Sequence, residues 1–79
     1  MWHKGTIGVP DKDGKMVACH YEVKAYEEGS AFGIEEGRIS KLSIRIHGKE
    51  TCNYDRGWDI EPEDEYTKMA IAILIKEYN

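Results

Sequence analysis

The stretch ISKLSIRIH, residues 39–47, sets Leu42, Ile44 and Ile46 alternating with Lys41, Ser43, Arg45 and His47. Apolar residues recurring at a period of two mark a strand that buries one face and wets the other. Such a strand needs antiparallel neighbours and a cover for its apolar side. Upstream, WHKGTIGV (2–9) and KMVACHYEVKAY (15–26) are rich in β-branched and aromatic residues, and the PDKDG between them has the residues of a hairpin turn. Their alternation points Ile7 and Val9, then Val17, Cys19, Tyr21, Val23 and Ala25, to one side. Downstream, GKE turns the chain into TCNYD (51–55), with Cys52 and Tyr54 as the inward pair.

The cover is expected from the C-terminal segment. Pro62 suits a first helical position, and Glu63, Asp64 and Glu65 suit the positive end of a helix dipole, so a helix is predicted from Pro62 to about Tyr78. The loop EEGSAFGIEEGR (27–38) holds two Glu-Glu-Gly turns, with Phe32 and Ile34 between them placed to plug onto the core. The expected architecture is α+β, a four-stranded antiparallel β-meander with one C-terminal α-helix packed on one face, forming a single domain over residues 1–79.

Size and composition bound what such a domain can do. With 79 residues the chain buries roughly 60% of the surface its unfolded form exposes. Its stability by length is about 4–12 kcal/mol. An enzyme of this size would need a second subunit to enclose a pocket. The chain is 33% charged and 41% hydrophobic, with no apolar run of membrane-spanning length. The N-terminal MWHKGTIGVP lacks the apolar core of a signal peptide, so a cytoplasmic protein without membrane attachment is expected. Cys19 and Cys52 form no CxxC and no crowded disulfide pattern, which predicts reduced, buried thiols.

The segment NYDRGWD, residues 53–59, is dense in functional groups. Read as structure, Gly57 supplies unusual backbone angles where the chain leaves the sheet for the helix, and Trp58 clamps the crossing by burying its ring. Asp55 and Asp59 then pair with Arg56 or bond loop amides. Read as function, Arg56 could hold a carboxylate or phosphate through its planar fork. The structural reading, a clamp of Asp55, Arg56, Gly57, Trp58 and Asp59, is preferred, because tryptophan beside glycine in a connection serves packing first. At YDRGWD, and at FGIEEGRISKL upstream, the sequence resembles a family of short uncharacterised proteins, a domain of unknown function, from Gram-positive bacteria and their phages. The resemblance extends over most of the chain. It implies a bacterial or prophage setting and supplies neither an activity nor a catalytic residue.

Other chemistry fails on spacing. His3, Cys19, His20, His47 and Cys52 form no short paired ligand motif, and alternation sends Cys19 and His20 to opposite faces, so no metal site is expected. DKDGK begins like a calcium loop, but its glycine is the fourth residue where the EF-hand needs the sixth. There is no phosphate-cradling glycine loop with a lysine and no nucleophile elbow. Neither a cofactor nor an enzymatic activity is expected.

Two surfaces remain for partners. Placed at 100° steps, Tyr66, Met69, Ala70 and Ile73 fall on one side of the helix, whereas Ile71, Ile75 and Tyr78 fall on another. If the sheet covers the first stripe, Ile71, Ile75 and Tyr78 are covered either by the long 27–38 loop around a sunken helix or by a second copy of the chain, the second making a homodimeric interaction module. The outer sheet face is expected to carry Trp2, Lys4, His20, Glu22, Lys24, Tyr26, Lys41, Arg45 and His47. That mixture resembles a single-stranded nucleic-acid platform, with Lys24, Lys41 and Arg45 on phosphates and aromatic rings under bases. A net charge of -4 and the absence of an RNP-like motif make this the second reading, behind the homodimer.

Overall fold

The structure is a computed structural model describing residues 1–79. Five strands form one antiparallel sheet in sequence order: β1 (Trp2–Pro10), β2 (Met16–Ala25), β3 (Ile39–Ile46), β4 (Lys49–Asp55) and β5 (Trp58–Ile60). A single helical turn, Ile34–Glu36, sits in the loop before β3, and helix α1 (Glu65–Tyr78) closes the chain. The expected meander is present with one more strand than the sequence suggested. No helix is long and apolar enough to cross a membrane.

Local chemistry explains the turns. Asp11 accepts hydrogen bonds from the amides of Asp13 and Lys15 at 2.9 and 3.0 Å, pinning the β1–β2 turn. The β3–β4 hairpin turns on His47 and Gly48, both with left-handed backbone (φ 53° and 77°), the pairing that matches the twist of flanking strands. His47 therefore belongs to the turn and not to the outer face of β3.

The inner face is built as the alternation predicted. Val9, Cys19, Val23, Leu42, Ile44, Ile46, Cys52 and Tyr54 are buried in one cluster, with Ile7, Val17, Tyr21 and Ala25 packed beside it. Both cysteines are free and buried, and burial pushes the Cys52 thiol up to about 12. From the loop, Ile34 joins this core as expected, but Phe32 is 56% exposed.

Helix α1 differs from expectation in its start and its rotation. Its N-cap is Asp64, whose carboxylate accepts from the Thr67 amide at 2.8 Å and the Thr67 hydroxyl at 2.7 Å, so Pro62 lies outside the helix. The buried stripe is Thr67, Ala70, Ile71 and Leu74, with Ile75 and Tyr78 packed against the same cluster. Ile71 is 7% exposed, whereas Met69 and Ile73 are 48% and 46% exposed. The expected dimer stripe of Ile71, Ile75 and Tyr78 is thus part of the monomer core; of the stripe expected to meet the sheet, Ala70 is buried and Tyr66 packs against the core, whereas Met69 and Ile73 face outward. The cause is Thr67. Its hydroxyl donates to the Asp64 carboxylate and lies 2.7 Å from the Thr51 hydroxyl on β4, from which it can accept, so a polar residue enters the core fully satisfied and takes the helix with it.

Asn79 fastens the far end of the helix. Its side chain accepts from the Ile39 amide and donates to the Ile34 carbonyl, each at 3.0 Å, tying the helix terminus to the loop before β3.

Candidate functional site

The face of the sheet opposite the helix is organised in cross-strand rows. The row at one end reads Trp2, Lys24, Lys41, Asp55 across β1 to β4. The next reads Lys4, Glu22, Ser43, Asn53, and the third Thr6, His20, Arg45, Glu50. Rows are two residues apart, roughly 7 Å along a strand. Lys24, Lys41 and Arg45 therefore share one face as expected, with Lys24 and Lys41 as direct neighbours and Arg45 two rows away.

Ion pairing engages two of the four cations in these rows. Lys4 meets Glu22 at 3.4 Å and Lys41 meets Asp55 at 3.8 Å, both near the surface, where such pairs contribute about 0–1 kcal/mol. Lys24, Arg45 and Arg56 form no ion pair. Glu61, Glu63, Glu65 and Glu77 are exposed before and along α1, while the outer face itself carries Glu22, Glu50 and Asp55 among its cations.

Aromatic rings stand beside the free cations. The Lys24 ammonium is 5.9 Å from the Trp2 ring centre and 5.4 Å from that of Tyr26, both rings being exposed. At exposed sites a cation over a ring contributes about 0.5–1 kcal/mol, enough to hold Lys24 raised between two flat surfaces. A hydrogen bond from Lys24 is the main influence holding the Tyr26 phenol below its ordinary pKa, and Ser40 and the Lys41 charge add to it.

Beside this end row, the outer face meets the 26–38 loop in a recess of about 560 Å³. Lys24, Lys41 and Arg56 line it together with Tyr26 and Phe32. The Arg56 guanidinium lies 4.8 Å from the Phe32 ring centre. Two residues assigned other duties by sequence, Phe32 as a core plug and Arg56 as part of a clamp, meet here. Only the sheet register and the loop fold bring them together, so no local pattern could have indicated it.

The NYDRGWD segment is a hairpin and not a crossing into the helix. Arg56, and not Gly57, takes the left-handed backbone (φ 60°), while its amide donates to the Ser40 carbonyl at 2.9 Å and the Asp55 amide donates to Gly57 at 2.8 Å. A non-glycine residue held there costs about 1–3 kcal/mol, and here it aims arginine over Phe32. The chain then pairs back as β5, with Trp58 opposite Tyr54. Trp58 packs edge-on against Tyr54 with ring centres 5.0 Å apart, yet it is 39% exposed, so it is an edge-strand ring and not the buried clamp expected. Asp55 pairs with Lys41 in place of Arg56, and Asp59 makes no ion pair.

No cluster of three or more His, Cys, Asp or Glu side chains is placed to hold a metal ion. A family model described as "Domain of unknown function (DUF7678)" matches residues 1–79. No curated protein and no solved structure matches the chain.

Proposed function

We propose that this chain, which belongs to the DUF7678 family of unknown function, is a non-enzymatic binding domain that takes single-stranded nucleic acid on the outer face of its sheet. The observation that carries the reading is the end row, where unpaired Lys24 stands between the exposed rings of Trp2 and Tyr26 and beside Lys41. Rings of this kind stack bases at about 1–3 kcal/mol each without regard to sequence, and lysine and arginine on alternate rows attract the phosphates between. Arg45, exposed two rows away, extends the track. Attraction is set by the local face more than by the net charge of -4, and that face carries Lys4, Lys24, Lys41 and Arg45 against Glu22, Glu50 and Asp55.

The test is fluorescence anisotropy of labelled oligonucleotides against salt. Lys24→Gln and Arg45→Gln should weaken binding, leave the fold intact and flatten the salt dependence by about 0.7 in slope per lost phosphate contact. Failure to bind any single strand at low salt removes the reading. Self-association is the second reading, and one observation favours it: Met69 and Ile73, one helical turn apart, both lie exposed on α1. Light scattering of the wild type and of Met69→Lys decides it, since a wild type that stays monomeric at high concentration leaves that stripe without a partner.

A further inference from the structure

We propose that the recess beside Phe32 holds a phosphate monoester at the end of a bound strand, so that the protein recognises strand ends bearing a terminal phosphate. This rests on the nucleic-acid reading of the sheet face and deepens it. The track of rows stops at Trp2, Lys24, Lys41 and Asp55, and there Lys24 and Lys41 also line the recess that Ser30 and Phe32 of the 26–38 loop bound. A strand laid along the face therefore meets the recess with its terminus.

The charge there suits a monoester better than a diester. An internal phosphodiester carries one negative charge, whereas a terminal monoester carries about 1.5 to 2 at neutral pH and offers three acceptor oxygens. Three cations converge on the recess, from β2, β3 and the β4–β5 turn, against a single lining carboxylate, Glu28. Lys24 and Arg56 are unpaired. Arg56 brings a planar fork that can grip two oxygens at once, and it lies 4.8 Å from the Phe32 ring centre at the recess. The Phe32 and Tyr26 rings offer flat surfaces for the terminal base, with Arg56 already over one of them.

The experiment compares short thymidine oligomers carrying a 5′-phosphate, a 3′-phosphate or hydroxyls at both ends, each labelled at the opposite end or internally, at one fixed salt concentration. Wild-type protein should bind one phosphorylated end about tenfold or more tightly than the hydroxyl form, the ratio given by one charge-assisted hydrogen bond. Arg56→Asn, which tolerates the left-handed backbone, should bring that ratio to about one while leaving hydroxyl-oligomer binding in place. Lys24→Gln provides an independent second variant and should reduce the ratio as well. Equal binding of all three oligomers by the wild type overturns the inference and leaves the face reading standing, whereas no binding of any oligomer overturns both. Thymidine monophosphate displacing the phosphorylated oligomer at equal concentration would overturn the strand-end assignment in favour of a free nucleotide.

Discussion

Ile71→Ala and Ile73→Ala form a matched pair that tests the rotation of α1 on the sheet. Ile71 is 7% exposed in the core cluster beside Ala70 and Leu74, whereas Ile73 is 46% exposed. Truncating a buried isoleucine to alanine costs about 2–5 kcal/mol, made up of lost transfer energy and the cavity left behind. Against a total of about 4–12 kcal/mol for a chain of this length, that is a large fraction. With a urea slope near 1 kcal/mol/M, expected for so small a domain, the Ile71→Ala midpoint should fall by about 2 M or more. Ile73→Ala gives up little burial and gains helix propensity, so its midpoint should move by less than about 0.5 M in either direction. Urea melts followed by far-UV circular dichroism, with slopes compared to confirm two-state unfolding, read both values. Equal shifts, or a larger shift for Ile73, would refute the rotation and return the Met69 and Ile73 stripe to the sheet.

Two further outcomes follow from the helix ends. Partial burial works against ionisation of Asp64, but its hydrogen bonds from Thr67 outweigh that and hold its pKa below the ordinary value. A depressed carboxylate contributes stability that is fully present above its unfolded pKa, about 3.9, and is lost as pH falls through the lower folded value. Asp64→Ala should therefore cost about 0.5–2 kcal/mol near neutrality and a smaller amount at strongly acid pH, read from denaturation midpoints across a pH series. At the other end, a methyl group on Gly37 would collide with the Asn79 side-chain amide. Gly37→Ala should destabilise by about 1–3 kcal/mol, yet cost much less in an Asn79→Ala background. A double-mutant cycle measures that coupling, and strict additivity would refute the contact.

Period-two alternation exposed β1 to β4 and their inward faces in the sequence, because each strand has one wet side and needs its apolar residues in phase. The three residues of β5 are too few to show a period, and Gly57 drew attention to itself where Arg56 takes the unusual angle. The helix existed in the sequence, but its rotation did not. A wheel drawn by hydrophobicity favours Met69 and Ile73 over Thr67, and it cannot know that Thr51 waits across the core to satisfy a hydroxyl. For the candidate site, alternation put Lys24, Lys41 and Arg45 on one face. The recess depended on where the loop set Phe32 and where the turn set Arg56, both consequences of tertiary register.

The strict sequence order of the sheet bears on how the chain acquires its fold. Every strand pairs with its neighbour in sequence, so three of the four connections are short turns that close at small entropic cost, and the 26–38 loop between β2 and β3 is the longer closure. The helix is different, since α1 reaches back to β1, β2 and β3 across most of the chain. On a ribosome the strands emerge before the residues that roof them, and a paired sheet can stand with Val23, Leu42, Ile44 and the two thiols open to water. Helix docking is the step that covers these residues, and Thr67 and Asn79 fasten it at either end, so the apolar face is shielded once both ends of α1 are seated.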